Sequence, residues 1–585
     1  MKYSWLYSLI TVIILAASAY FLYALYSGEE RIWPGGLTDR LRRIVPDPIY
    51  FLLMITGSIP FFLSAYNGCN DKKRSAVRFS ECVLLVVLMG FFNYSPFPAG
   101  SAWHHHAYIN SIISTAQFRP YDDFSTSTYG HYGILYLPIV RLFGNNMQAI
   151  SVSIAMMGIL GFVATFFVLS RWIENDLVFL WGCLAACGLH TCVGNGGGYW
   201  QREPHRVLFP ILGLLYITWS LQNRKQKQEK KLKIMGVTLA SLAIVWNIET
   251  GVVTAITVAF FWFIISTKTS FVEWLRAFIC SIVYVTLCIC GACMIINLYN
   301  LLTPAHELLS VRNFFIPIIG WTGYVNNLRY NLPSVFSMYF LQIIFFSIVI
   351  IRILPRIFTF LPNEDSEDYS RNQKVFLACA GVCGLGVLTY FMNRSVWGNI
   401  KVSWVEMSIV LACLADGILS KMQSKDMQVS WKEMIKTHRI LSSGVFLVVM
   451  FILFSLGTET VLGLENAVTF HKDKVTTVQF GWDKMKEEIS ASVPKDTVAF
   501  GVGLPEMYFS LGWDTQLEIN GWADHMTDAN YERILSAVSH SDGFVSSEPQ
   551  VERVIEITGT DVFDDFIIRQ HFTSEYCDFV YYIRE

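Results

Sequence analysis

The chain has 585 residues, of which 53% are hydrophobic, 15% aromatic and only 15% charged, and its mean hydropathy is +0.42. A soluble domain carries about a quarter charged residues, so this composition excludes an ordinary soluble protein. The net charge of -2 conceals an asymmetry, because residues 1–464 have 35 Lys and Arg against 24 Asp and Glu, whereas residues 465–585 have 9 against 22. The two parts are therefore expected to face different environments.

Apolar runs predict about thirteen membrane spans, since roughly 20 apolar residues cross a bilayer. They lie near residues 5–26, 49–66, 82–94, 147–170, 177–193, 207–221, 233–247, 251–267, 275–298, 334–352, 374–392, 403–420 and 440–462. The predicted fold is a polytopic α-helical membrane protein. It consists of an N-terminal helix pair (1–79), a transmembrane region (80–464) and a small C-terminal α/β domain (465–585).

Loop charges predict the orientation of these spans. The basic run Arg224–Lys233 is placed in the cytoplasm by the positive-inside rule. Counting from it places the N-terminus inside and the C-terminal domain outside a cell membrane (plasma or inner membrane). It also places these segments outside: 95–146, 194–206, 299–333 and 393–402. Arg31, Arg40, Arg42 and Arg43 contradict this orientation locally.

The tail has the pattern of a small α/β domain. Its predicted helices are Thr476–Ala491 and Asn530–Ser539, and its predicted strands are Thr497–Gly503 and Phe579–Ile583. Gly501 and Gly503 lack the spacing of a phosphate-binding loop, so a turn after a strand is the better interpretation.

The outer loop 95–146 contains most of the unusual polar chemistry. Asp122 and Asp123 are adjacent carboxylates among aromatic residues that include Tyr121 and Tyr129. One interpretation is a turn capped by the two carboxylates. The other is a general base, because a positioned and partly desolvated carboxylate can accept a proton. Transfer of a sugar from a lipid phosphate requires one base for the acceptor hydroxyl, and its leaving group is already a phosphate.

The pattern Pro120-Tyr121-x-Asp123-Phe124, followed by Tyr129-Gly130, Leu137-Pro138 and Phe143-Gly144, resembles the first outer loop of GT-C superfamily glycosyltransferases. These integral membrane enzymes use polyprenyl-phosphate-linked sugars and include bacterial cell-surface sugar transferases and protein mannosyltransferases. The resemblance covers residues 80–420. It implies a GT-C-like fold, Asp123 as the catalytic base with Asp122 beside it, and a glycan, lipid or protein acceptor. One departure is that the loop follows the third predicted span, which implies an added N-terminal helix pair.

Other outer residues are candidates for substrate binding. Arg202 and Arg206 could bind an anionic lipid phosphate or only anchor the chain at the interface. Glu249 could bind sugar hydroxyls or pair with an arginine, because an acidic residue near membrane depth is often functional. Arg394 could bind the donor phosphate or contact lipid headgroups.

Tyr129, His131 and His105 complete the predicted binding set. Consecutive histidines on a helix point in different directions, so a metal site at residues 104–106 would need His131 or Asp122 to converge on it. No metal ligand is assigned. A divalent cation stays open as a cofactor, because some enzymes of the resembled superfamily use one and others do not.

Three alternative functions have different sequence requirements. A polymerase or ligase of surface glycans would use the same lipid carriers. A transporter or flippase of lipid-linked saccharides would place charges at the midplane and show repeated halves, and no convincing repeat is present. A membrane scaffold would not need the acidic and aromatic loop. No feature of the sequence indicates a nucleic-acid partner.

Overall fold

The structure is a computed structural model. It describes residues 78, 82, 102–121, 130–143, 145, 147–191, 200–223, 228–267, 270–306, 308–315, 338–359, 369–390, 401–423, 444–457, 460, 475–514, 517, 528–574 and 578–585. The spans predicted near 5–26, 49–66 and 82–94 lie outside these residues, apart from residue 82.

The membrane region consists of helices. They are α1 (Ala102–Ala116), α2 (Gly133–Leu142), α3 (Met147–Trp172), α4 (Asp176–Thr191), α5 (Leu208–Asn223), α6 (Glu229–Trp246), α7 (Ile248–Ser266), α8 (Phe271–Leu302), α9 (Val311–Phe314), α10 (Met338–Thr359), α11 (Tyr369–Val387), α12 (Trp404–Gln423) and α13 (Gly444–Gly457). Apart from α1, α2 and α9, each coincides closely with a predicted span. Among the described residues, three helices are long and apolar enough to cross a membrane, namely α7, α8 and Lys401–Ser420. The apolar helices fit a multi-pass membrane protein.

Helix α7 lies in the middle of the bundle, where it contacts α5, α6, α8 and α11. It is separated from α6 by Asn247, whose extended backbone (φ -153°, ψ 118°) ends one helix while its side chain accepts a hydrogen bond from Thr250 N of the next, at 2.8 Å. Asparagine is among the preferred residues at this capping position. The helix break therefore follows directly from one residue.

Helix α8 lies at the edge of the bundle. Its exposed side includes Phe278, Ile282 and Leu287, each about half exposed. Such an apolar surface suits contact with lipid tails, which provide no hydrogen-bonding partners. The other side of α8 packs against α6 and α7.

The predicted outer loop 95–146 is not wholly irregular, because it contains α1 and α2, which were not predicted. In α1 the buried residues Ile109, Ile112, Ile113 and Ala116 follow helical spacing. The neighbouring histidines and polar residues make this stretch less apolar than a membrane span. Helix α2 contains Pro138, a residue that usually disfavours a helix interior.

Residues 475–585 include a four-stranded sheet. The strands are β1 (Val498–Ala499), β2 (Gly543–Ser546), β3 (Phe566–Thr573) and β4 (Asp578–Arg584), in the order β1-β2-β4-β3. β1 is parallel to β2, and β4 is antiparallel to both of its neighbours. The helices are α14 (Val475–Ser492), α15 (Leu504–Leu511), α16 (Asp528–Ser539) and α17 (Glu548–Thr558).

The predicted helices and strands of the tail match α14, β1, α16 and β4, although β1 is shorter than predicted. The other four elements (α15, α17, β2 and β3) were not predicted. Strand β1 ends before Gly501 and Gly503, which have φ values of +119° and +86°. Only glycine adopts such angles readily, so the glycine pair is a turn between β1 and α15. The division of the chain at residue 464 stays a prediction.

The tail contacts the membrane region on one side. Helix α15 packs against α1, and Phe509 of α15 contacts the hydrophobic cluster that includes Tyr108 and Trp246. The guanidinium of Arg119 also forms an ion pair with Asp514. The tail is therefore connected to the segment that leads into Asp122.

Candidate functional site

The chain enters the acidic segment (residues 122–129) through Tyr121. The side chain of Asn300, near the end of α8, bonds twice to this residue: Oδ1 accepts from Tyr121 N and Nδ2 donates to Tyr121 O, each at 3.0 Å. Tyr299 OH donates to Arg119 O at 2.9 Å. The end of α8 thus fixes the backbone directly before Asp122. Asp122, Asp123 and Tyr129 themselves lie outside the described residues.

The side chain of Tyr121 is buried below this backbone. Its hydroxyl is 3.0 Å from Ser111 Oγ and 2.7 Å from Thr115 Oγ1, both on α1. Burial raises the pKa of Tyr121 to about 12, although these hydrogen bonds act in the opposite direction. The phenol is therefore a neutral anchor rather than a base.

The chain leaves the acidic segment at Gly130, which packs against the end of α6. Its φ is +123°, and a Cβ atom there would lie 2.5 Å from Trp246 O. The next residue, His131, donates its backbone N–H to Val245 O at 2.9 Å. Only glycine combines this angle with such a close approach of two backbones.

The ring of His131 is fully buried between aromatic residues. Its centroid lies 4.9 Å from that of Tyr121, in an edge-to-face arrangement, and 6.0 Å from that of Phe314, to which it is parallel within 6°. Neither ring nitrogen has a hydrogen-bond partner in the part of the chain that the structure describes. Burial lowers the pKa of His131 to about 3, so the ring is neutral. It packs the two ends of the acidic segment together, and its predicted role in substrate binding stays a prediction.

The arginine turn (residues 200–207) is bonded to the break between α6 and α7. Trp246 Nε1 donates to His205 O at 2.6 Å, and Asn247 Nδ2 is 2.9 Å from His205 Nε2. Because Asn247 Oδ1 accepts from Thr250 N, its Nδ2 must donate, and His205 Nε2 must accept. His205 is thereby assigned the neutral form with its proton on Nδ1.

Arg206 is the best-defined cation of this turn, with only 2% of its surface exposed. Its Nη1 donates to Gln201 O at 2.5 Å, its Cζ lies 3.7 Å from the ring centroid of Tyr390, and its Nε is 4.0 Å from Glu249 Oε2. The structure therefore brings together the predicted residues Arg206 and Glu249. Arg202 is also buried in the turn.

Two buried carboxylic acids, Glu203 within the turn and Glu406 on α12, were not predicted. Burial raises the pKa of Glu203 well above its usual range, and the neighbouring Glu406 adds to this shift. Glu406 belongs to the apolar helix α12 and is fully buried. An acidic residue within a membrane span is itself a recognisable signal, so the sequence around Glu406 could have identified it.

Other predicted site residues are not placed. Arg394 lies outside the described residues, and His105 belongs to α1 but its side chain is outside the described part. Within the described ranges, no group of three His, Cys, Asp or Glu side chains could hold a metal ion.

No protein-family model matches the chain, and no curated protein matches it. Its structure is similar to the crystal structure of ArnT from Cupriavidus metallidurans in the apo state, with 13% identity, a TM-score of 0.45 and coverage of 87% of this chain and 98% of that chain. It is also similar to that of the same ArnT bound to undecaprenyl phosphate, with 12% identity, a TM-score of 0.45 and coverage of 87% and 97%. These values describe a distant structural similarity that extends over most of both chains.

Proposed function

We propose that this protein is a membrane glycosyltransferase that moves a sugar from a polyprenyl-phosphate donor to an acceptor at the outer face of the cell membrane. The main support is that a single helix break connects the acidic segment to the buried arginines. Gly130 packs against Trp246 and Asn247 on one side, and His205 of the arginine turn bonds to the same two residues on the other.

In the proposed reaction, the Asp123 carboxylate takes the proton of the acceptor hydroxyl. The acceptor oxygen then forms a bond to the anomeric carbon of the donor sugar. The bond from that carbon to the phosphate oxygen breaks, and polyprenyl phosphate leaves with the electron pair. Asp122, the neighbouring carboxylate, adds negative charge beside the base. General-base catalysis of this kind contributes about 10²- to 10⁴-fold to a rate.

The cationic groups have a separate role in the proposal. Arg202, Arg206 and Arg394 bind the phosphate and stabilise the charge that develops on it as the sugar departs, because guanidinium groups match phosphate geometry. Glu249 accepts a hydrogen bond from a sugar hydroxyl. Its Oε1 is buried and has no hydrogen-bond partner within the described part of the chain, which leaves it able to accept one.

The test uses the purified full-length protein in lipid nanodiscs. A panel of polyprenyl-phosphate-linked sugars is supplied with glycan, lipid and protein acceptors, and release of polyprenyl phosphate is measured together with the glycosylated product. We expect at least one donor to be consumed. We expect Asp123→Asn to lower kcat by about 10²-fold or more, in line with loss of a general base.

Asp122→Asn is the matched control, because it changes the adjacent carboxylate by the same one-atom replacement. It is expected to retain more activity than Asp123→Asn. Both variants should insert into the membrane and have the same thermal midpoint as the parent. Full turnover by a correctly inserted Asp123→Asn protein would refute the assignment of the base, and consumption of no donor would refute the proposed function.

A further inference from the structure

We propose that Asn300 is a positioning residue for the base Asp123. The inference rests on the proposed function, because it concerns the geometry of that base. Asn300 is buried, with 1% of its surface exposed, and it is 179 positions away from Tyr121 in the sequence. Its carboxamide forms both available backbone hydrogen bonds of the residue directly before Asp122.

The chemistry of the contact requires a carboxamide. Tyr121 presents one donor and one acceptor to the same side chain, and only a group with a C=O and an N–H in one plane satisfies both. A leucine of similar size would leave both backbone groups unpaired. An ionised aspartate would accept from Tyr121 N but would place a second oxygen against Tyr121 O.

Residues of the predicted outer segment 299–333 contact the chain on both sides of the acidic segment. Asn300 and Tyr299 bond to its start, and Phe314 stacks on His131 at its end. Asp123 is two residues beyond Tyr121, and consecutive Cα atoms are about 3.8 Å apart, so a fixed Tyr121 limits how far away Asp123 can lie. A misplacement of about 1 Å at a reacting group can cost about 10²-fold in rate, so loss of the Asn300 contact should reduce turnover strongly.

Asn297 provides a matched control on the same helix, one turn earlier. Its Oδ1 accepts a hydrogen bond from Leu309 N at 2.8 Å, so it fixes a different part of the outer segment. Asn297→Leu therefore removes a comparable side chain-to-backbone bond without touching Tyr121. An effect seen in Asn300→Leu and not in Asn297→Leu belongs to the Tyr121 contact.

The experiment compares the parent, Asn300→Leu, Asn300→Asp and Asn297→Leu as full-length proteins in nanodiscs. Turnover is measured with the donor that the parent consumes, and hydrogen exchange is measured on the peptide that contains residues 119–121. For Asn300→Leu we expect kcat to fall by about 10- to 100-fold with the donor KM changed less than about twofold. The Tyr121 amide should exchange faster. Asn297→Leu should match the parent in both measurements.

Asn300→Asp adds the dependence of kcat on pH as a second readout of the Tyr121 contact. A protonated aspartate restores one acceptor and one donor in the places of the amide. The ratio of its kcat to that of the parent should therefore rise as the pH is lowered from about 8 to 5.5. A ratio that is constant or falls would overturn the proposal.

The outcomes separate this inference from the proposed function. Unchanged kcat in Asn300→Leu, or an equal loss in Asn297→Leu, overturns the positioning role even if Asp123 is essential. If the parent consumes no donor or Asp123→Asn keeps full turnover, the proposed function fails and the positioning of a base fails with it. The exchange of the Tyr121 amide then still decides whether Asn300 fixes that backbone.

Discussion

The guanidinium of Arg206 lies over the ring of Tyr390, with its Cζ 3.7 Å from the ring centroid. Arg206 comes from the arginine turn, whereas Tyr390 follows α11 and directly precedes residues 391–400, which include Arg394. A buried arginine stacked on an aromatic ring has a fixed plane, so it can present its nitrogens to a phosphate at little entropic cost. This contact connects two of the predicted cationic segments.

Replacing Arg206 by lysine tests how much the fixed guanidinium plane contributes to donor binding. Lysine keeps the charge but loses both the stack on Tyr390 and the bond to Gln201 O, and a desolvated cation–π contact is worth about 2 kcal/mol. We expect kcat/KM for the polyprenyl-phosphate donor to fall by about tenfold or more. The measurement is donor-dependent release of polyprenyl phosphate.

Arg171→Lys is the control for that substitution. Arg171 also stacks on an aromatic ring, that of Phe167 at 4.7 Å, but it is exposed at the end of α3. Its replacement should leave kcat/KM unchanged. A loss of the same size in both variants would show that the effect is not specific to the candidate site.

Glu249 is tested by a pair of substitutions. Its nearest contact to Arg206 is 4.0 Å, too long for a hydrogen bond, so accepting from a substrate hydroxyl is its expected role. A hydrogen bond to a charged group contributes about 1.5–3 kcal/mol, so Glu249→Ala should lower kcat/KM by about 10- to 100-fold. Glu249→Gln keeps a carbonyl acceptor and should lose less. Equal losses in the two variants would indicate that the charge facing Arg206 matters instead.

The buried neutral ring of His131 predicts how stability depends on pH. Its pKa is about 3 in the folded protein and about 6.5 when unfolded. Between these values the unfolded state binds one more proton, so the free energy of unfolding decreases as the pH falls. Lowering the pH from 7 to 5 should cost about 2 kcal/mol through this group, at about 1.4 kcal/mol per pH unit.

The measurement is the thermal midpoint of the parent and of His131→Phe between pH 7 and pH 5. The variant should lose less stability on acidification, because phenylalanine does not titrate. His540→Gln, which replaces an exposed histidine of the tail, is the control. A parent and a His131→Phe variant with the same slope would contradict the burial of a neutral histidine.

The sequence allowed most of the helices to be predicted, because long apolar runs have few alternatives in a membrane protein. The break at Asn247 was also visible, since polar residues interrupt an apolar stretch there. Helices α1 and α2 were missed because the former is too polar for a span and the latter contains Pro138. Both are stabilised by burial among other helices, which a local pattern does not reveal.

The site was less predictable than the fold, and the reason is the distance in sequence between its parts. Arg206 and Glu249 were both candidates, but their approach depends on the bonds from His205 to Trp246 and Asn247. Asn300 was not a candidate, because it lies just beyond the predicted span 275–298 and its partner Tyr121 is 179 positions away in the sequence. His131 was predicted as a binding residue from its neighbours in the sequence, which could not show that its ring is buried between two aromatic rings.

Gly130 provides a test of how the end of the acidic segment packs. Gly130→Ala would place a Cβ atom 2.5 Å from Trp246 O and keep a φ of +123° that alanine rarely adopts. A strained backbone of this kind costs about 1–3 kcal/mol before any clash is counted, so we expect a lower thermal midpoint and reduced turnover.

Gly417→Ala in α12 is the matched control, because a Cβ atom there meets nothing within 4 Å. Alanine favours a helix over glycine by about 1 kcal/mol, so that variant should be as stable as the parent or more so. An unchanged midpoint in Gly130→Ala would show that the backbone of α6 does not approach the acidic segment as closely as described.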